Sequence, residues 1–244
     1  MGVVTWSGGR VSTSTAIPVG RSLTGAMLRD SYYDAVRKLT LGLASIRDHA
    51  VVVGPFTLLR FGAPKVTRNA VDWPIEGGLL AGAGGGHWRV QASAGRVEAT
   101  VTGFVPRLPR FLYWPTHLQV HQLFTRLYLL RLRGSEPAMG APALAEDRFR
   151  AGTVDLAFCV TLAGLTGRRR PGRALGIAVA YHVVCWSIFG RTLGGVVMRQ
   201  RVVAWDGSKI TPAQALFRLV LTPASWFTGN AVHDELAGTS VITD

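Results

Sequence analysis

Ala151–Gly167, AGTVDLAFCVTLAGLTG, carries a single charge, Asp155, and Ala174–Phe189, ALGIAVAYHVVCWSIF, carries none. Neither is an unbroken apolar run of about 18 residues, so each alone would also suit a buried helix of a soluble protein. Together they read as two membrane spans. Arg168-Arg169-Arg170-Pro171-Gly172-Arg173 forms a tight basic turn between them, and both are rich in Gly, Ala, Ser and Thr, which let helices approach closely in lipid. A third segment, Thr211–Phe227, opens on Thr-Pro, a cap followed by proline at the first helical position, and holds Arg218 among apolar residues. Pro223 should end or kink it, which leaves a broken span or an interfacial helix.

The chain changes character upstream of these segments. Gly134–Ala145, with Pro137, Gly140 and Pro142, suits a linker, set at 135–147. Before it, Pro115–Arg133 repeats apolar residues (Leu118, Val120, Leu123, Phe124, Leu127, Tyr128, Leu130) at helical spacing, with Arg126, Arg131 and Arg133 on the polar side. Between Lys38 and Pro106, short runs such as Leu39–Leu43, Ala50–Val53, Phe56–Leu59, Trp88–Gln91 and Val97–Val101 have strand length and predict an antiparallel sheet of about five or six strands. Its apolar face needs a cover, and the helix is the natural one. Residues 1–30 read as a tail, with a short helix expected over Ser22–Lys38. The expected class is therefore α+β: tail 1–30, basic β-rich domain 31–134, linker 135–147 and helical membrane module 148–244.

Composition narrows the function. The chain has 244 residues, 27 Lys+Arg against 14 Asp+Glu, a net charge of +13 and 48% apolar residues. That much apolar surface excludes disorder, and two cysteines exclude a disulfide scaffold. Excess positive charge suits nucleic acid or an anionic lipid surface. Much of the arginine flanks the spans, which favours lipid and argues against nucleic acid. The first twenty residues hold no signal-peptide pattern, so the N-terminal domain is expected on the cytoplasmic side. Arginines lie on both sides of the spans, however; a shallow re-entrant hairpin would remove that conflict.

The stretch from Arg148 to the C-terminus resembles the RDD family of membrane proteins. R-x-x-A-x-x-x-D is present as Arg148, Ala151 and Asp155; G-x-T-x-G as Gly190, Thr192 and Gly194; R-V-V-x-x-D-G as Arg201-Val202-Val203-Ala204-Trp205-Asp206-Gly207; and H-D-x-x-A-G-T as His233, Asp234, Ala237, Gly238 and Thr239. A basic residue commonly follows the T-x-G of this family. Here the position is Gly195, and its role would fall to Arg191 or Arg199. The resemblance implies a membrane module, with transport or cation/proton antiport suggested for some members. The N-terminal strands and long helix are similar in order to helix-grip lipid carriers of the START type, although the early helices of that fold look short or missing.

An aspartate at membrane depth costs about 2.5–3.5 kcal/mol, so Asp155 needs a partner. Arg148, two turns away and about 10 Å along a straight helix, is too far. Arg201, Arg191 and His182 are the expected candidates, while Asp234 can cap a local turn or reach Arg148. Three roles follow: a buried clasp of Arg148, Asp155 and Asp234 fixing helix register; titration of Asp155 during ion movement; and a lipid phosphate on Arg148. His117 and His121 have a zinc-compatible spacing but no third ligand, so no metal is expected. Cys159 and Cys185 read as small buried residues. Trp73, Trp88 and Trp114 are candidates for an apolar ligand cavity, and Gly82–Gly86 for a hairpin turn. No catalytic constellation or cofactor fingerprint is present.

The expectation is a non-enzymatic multi-pass protein of the cell membrane without cofactor, linked to transport or envelope lipid handling. Its expected partners are the bilayer and its anionic lipids, an apolar ligand, and transport-system proteins. A cation/proton antiporter using Asp155 is the alternative.

Overall fold

The computed structural model describes residues 2–136, 138–165, 171–228 and 231–244. Arg168–Arg170 of the expected basic turn and Pro137 of the expected linker lie outside them. The chain forms two units, Met1–Gly134 and Ser135–Asp244.

The first unit runs β1 (Val3–Ser7), β2 (Arg10–Pro18), α1 (Gly25–Leu39), β3 (Ala44–Arg47), β4 (Ala50–Val53), β5 (Phe56–Phe61), β6 (Lys65–Val66), β7 (Ala70–Gly77), β8 (Ala81–Ala83), β9 (Gly86–Ser93), β10 (Arg96–Pro106), α2 (Arg110–Tyr113) and α3 (His117–Arg133). The strands form one antiparallel sheet in the order β1-β2-β10-β9-β7-β5-β4-β3, with β6 on β7 and β8 on β10.

Residues 1–30 are not a tail. Gly8 and Gly9, both at positive φ, turn β1 into β2, as a two-residue hairpin requires. β2 then pairs along β10 from Pro18 to Val11. Its sequence, RVSTSTAIP, hides the strand because the run Ser12-Thr13-Ser14-Thr15 reads as polar although threonine has high β-propensity. Leu39–Leu43 is not a strand either. Leu39 ends α1, and Leu41 and Gly42 follow at positive φ in a turn.

The early helix, expected short or missing, has 15 residues and is capped by Thr24, whose hydroxyl accepts from Met27 N. It brings Tyr32 into a nest of rings: Phe61, Trp73, Trp88, Phe124 and Tyr128 lie with centroids 4.9–6.4 Å away. Tyr128 on α3 donates to Leu28 O on α1 at 2.9 Å, so the two helices are tied where they cover the sheet.

The second unit runs α4 (Ala145–Leu165), α5 (Pro171–Val184) with a π-helical turn at Cys185–Phe189, α6 (Leu193–Val197), β11 (Gln200–Ala204), α7 (Pro212–Thr228), α8 (Val232–Ala237) and β12 (Thr239–Thr243). β11 and β12 pair antiparallel. The segment expected as a linker is tied to them: Ala143 N donates to Val241 O and Thr243 N to Ala141 O, each near 3 Å, and α4 starts at Ala145. α7 continues through Pro223 instead of ending there. Proline withholds one amide from the helical ladder, a loss the seventeen-residue helix absorbs.

Among the described residues one helix, Gly172–Phe189 with a mean hydropathy of 1.4, is long and apolar enough to cross a membrane. Leu156, Val160 and Leu165 of α4, Leu175, Ile188 and Phe189 of the α5 region and Val220 of α7 are all more than half exposed. Apolar side chains exposed in this number mark an interaction surface, for protein or for membrane.

Candidate functional site

The motif aspartates occupy two separate buried clusters of the second unit. In the first, Asp155 on α4 is 5% exposed. Its Oδ1 accepts from the Tyr181 hydroxyl at 2.7 Å and from Gly194 N at 2.8 Å. Tyr181 Oη in turn accepts from Leu193 N at 2.7 Å. Thr192 caps α6 by accepting from Gly195 N at 3.2 Å. Asp155 therefore meets the orphan amides at the start of α6, a stabilising place for a carboxylate.

The four-residue spacing of Ala151 and Asp155 stacks both against the same short helix. Ala151 is small enough to let the Gly194 backbone in, and Asp155 bonds the amide of that glycine. Gly190 closes the π-helical turn at φ 75°. None of the expected partners holds Asp155. Arg191 and Arg201 both pair with Asp244, at 2.6 and 3.1 Å, and His182 Nδ1 lies 2.8 Å from Ala178 O, one turn back. A backbone amide as counter-group leaves no signature in side-chain spacing.

The second cluster is an ion-pair clasp on Asp234. Arg148 from α4 meets Asp234 Oδ2, and Arg218 Nε from α7 meets Oδ1 at 2.7 Å. The Thr239 hydroxyl donates to the same Oδ1 at 2.8 Å. Arg218 also stacks on Trp186, its guanidinium carbon 4.3 Å from the ring centre. Asp234 thus reaches Arg148, as one of its two expected roles had it, while Asp155 takes no part in the clasp.

Burial pushes the Asp234 carboxyl up, but Arg218, His233 and Arg148 together outweigh it and hold it at about 2. His233 sits beside both arginines with Nε2 3.3–3.4 Å from them, and its Nδ1 lies 2.5 Å from Ser225 Oγ. Burial lowers it first; the attraction of Asp234 opposes this, and the two arginines reinforce it, to about 4. A neutral ring that donates from Nδ1 and accepts at Nε2 fits all these contacts.

Arg218 is the residue that spacing did not assign. Its signal was present: an arginine inside an apolar helix needs a carboxylate partner when buried. The other motif positions are architectural. Asp206 Oδ1 accepts from Ser208 N at 3.1 Å and Gly207 turns at φ 77° after β11. Gly238 ends α8 at φ 59°, and the Ala237 carbonyl accepts from buried Gln214.

A cavity of about 880 Å³ opens beside both clusters. Arg148, Asp155, Arg191, Gln200, Arg201 and Arg218 lie on its wall, and Phe149, Leu156, Leu175, Leu219 and Val220 supply apolar surface.

In the first unit the three candidate tryptophans do not share a cavity. Trp88 lines one of about 50 Å³ with Tyr32, His117 and His121, whereas Trp73 is packed into the core and Trp114 is 45% exposed. That volume is far below the roughly 300–1,000 Å³ of small-molecule sites. His121 Nε2 lies 3.4 Å from the Thr13 hydroxyl, and burial, with His117 beside it, lowers His121 to about 4. Among the described residues no cluster of His, Cys, Asp or Glu is placed to hold a metal.

No curated protein and no solved structure matches the chain. Residues 174–238 match the model of the RDD family, so Arg148, Ala151 and Asp155 stand ahead of the matched segment. With the apolar helix at Gly172–Phe189, that match points to a membrane protein. The C-terminal part of this chain, over residues 174–238, is thus similar to the RDD family.

Proposed function

We propose that the chain is a non-enzymatic, multi-pass membrane protein that handles lipid, with the second unit in the bilayer and the first on its cytoplasmic side. The observation that carries this reading is the belt of exposed apolar side chains on α4, α5 and α7 beside a largely apolar cavity. If α4 and α5 cross as a hairpin, Arg131, Arg133, Arg148, Arg150, Arg191, Arg199, Arg201 and Lys209 flank its open end, against four arginines in its turn. The positive-inside bias then favours a cytoplasmic N-terminal domain. Alkaline carbonate extraction of membranes from cells expressing the full chain tests the reading. The protein should stay in the pellet and need detergent for release; recovery in the supernatant overturns it.

A second reading, cation/proton antiport, draws on Asp155 as a buried acid on the cavity wall. Its Oδ1 is committed to Tyr181 and Gly194, which supports a structural role instead. Asp155→Asn in reconstituted vesicles separates the two. A pH-driven cation flux that this variant abolishes would replace the lipid-handling reading with the antiporter.

A further inference from the structure

The cavity of the second unit combines two features that an apolar packing defect would lack. Its wall carries Arg148, Arg191, Arg201 and Arg218; Asp234 and Asp244 pair with them, and Asp155, on the same wall but paired with none of them, brings the nearby carboxylates to three, an excess of one positive charge. Asp155 is already occupied by two donors, so its charge is met by protein. The wall also holds Gln200, 2% exposed, whose Nε2 has no hydrogen-bond partner among the described residues. A buried donor without an acceptor costs about 1–3 kcal/mol, and a ligand acceptor would relieve it.

The mouth is apolar. Leu156, Leu175 and Val220 line the cavity and are each more than 60% exposed, so it opens through the belt that faces hydrocarbon. An occupant arriving from that side brings apolar chains with it, and one that satisfies the wall brings a single negative charge with acceptor oxygens.

We propose that this cavity binds one anionic phospholipid taken laterally from the bilayer, its phosphate on the cavity arginines and Gln200 and its chains at Leu156, Leu175 and Val220. This names the lipid class for the reading above and rests on it. The phosphate adds the missing counter-charge, and the clasp on Asp234 keeps Arg148 and Arg218 in place when the site empties.

The test uses the full chain reconstituted in vesicles of equal phosphatidylcholine and phosphatidylglycerol, re-extracted in neutral detergent, with retained lipid counted by native mass spectrometry. Retention of one phosphatidylglycerol per chain, enriched about tenfold over phosphatidylcholine, is expected. Gln200→Leu should lower the amount of phosphatidylglycerol retained by about tenfold, the worth of one hydrogen bond to a charged group. Gly152 lies on the cavity wall, and a methyl group at its Cα would meet nothing within 4 Å, so Gly152→Leu fills space without disturbing α4 and should abolish retention. Equal enrichment in wild type and Gly152→Leu places the lipid on the outer belt and overturns the site. Displacement of phosphatidylglycerol by inorganic phosphate alone shows an anion site that needs no lipid chain and also overturns it. Release of the protein by carbonate counts against membrane residence, whereas lost lipid discrimination in a chain that stays membrane-bound counts against the cavity only.

Discussion

Gly194 rests on the backbone of Ala151: a Cβ at position 194 would collide with the Ala151 carbonyl oxygen and lie 2.9 Å from the Ala151 Cα. Neither backbone can yield without separating α4 from α6 and breaking the Asp155–Gly194 bond. Gly194→Ala should therefore lower stability by about 1–3 kcal/mol or more. Thermal unfolding in detergent checks this against Gly152→Ala, where open space and better helix propensity predict a small gain of about 0.5–1 kcal/mol. Equal melting temperatures for the two variants would refute the close contact.

Asp155 is needed as an acceptor, since Oδ1 takes bonds from Tyr181 and Gly194 at once. Asp155→Asn keeps an acceptor in that place and should be tolerated. Asp155→Ala leaves two donors unpaired in a buried site, at roughly 1–3 kcal/mol each. The expected order in a denaturation series is wild type, Asn, then Ala well below both.

Asp234 is the carboxylate shared by Arg148 and Arg218. Removing its charge leaves the buried Arg218 guanidinium beside the partly exposed one of Arg148, and breaking a buried pair costs about 3–5 kcal/mol. Asp234→Asn should unfold the C-terminal unit early or prevent its accumulation, which a detergent-solubilised size-exclusion profile detects. Because the folded carboxyl is held near 2, below its ordinary value of 3.8, its contribution is complete above about pH 4 and fades as pH falls towards 2.

Histidine makes the fold acid-sensitive in a higher window. His233 is lowered from 6.5 to about 4, so below pH 6.5 the unfolded chain takes a proton that the folded ring refuses. Stability of the C-terminal unit should be full above pH 6.5 and decline as pH falls to 4. Hydrogen exchange of the α8 amides should report this decline, and His233→Gln should flatten it. A decline of the same size in that variant would assign the effect elsewhere. His121, lowered to about 4 in the first unit, gives the same direction there, and exchange in α3 separates the two.

The apolar runs and the helical period of residues 115–133 were legible in sequence because their side chains repeat at the spacing of the face they bury. β2 was not, because threonine carries strand propensity without hydrophobicity. In the site, Arg148, Asp155 and Asp234 stood out as charges in apolar or patterned surroundings. Their pairing did not, since Asp155 found a backbone amide and Asp234 a second arginine, Arg218, sixteen residues upstream.

The chain's order of residues alone determined that the C-terminal part carries two long, nearly uncharged apolar stretches, because hydropathy and spacing are local properties. Tertiary structure alone decided which charges meet, which wall of the cavity they share, and that residues 3–18 close the sheet's edge instead of trailing from it. Those outcomes depend on groups far apart in the chain, such as Arg148 and Asp234, and no local pattern encodes a distance across 86 residues.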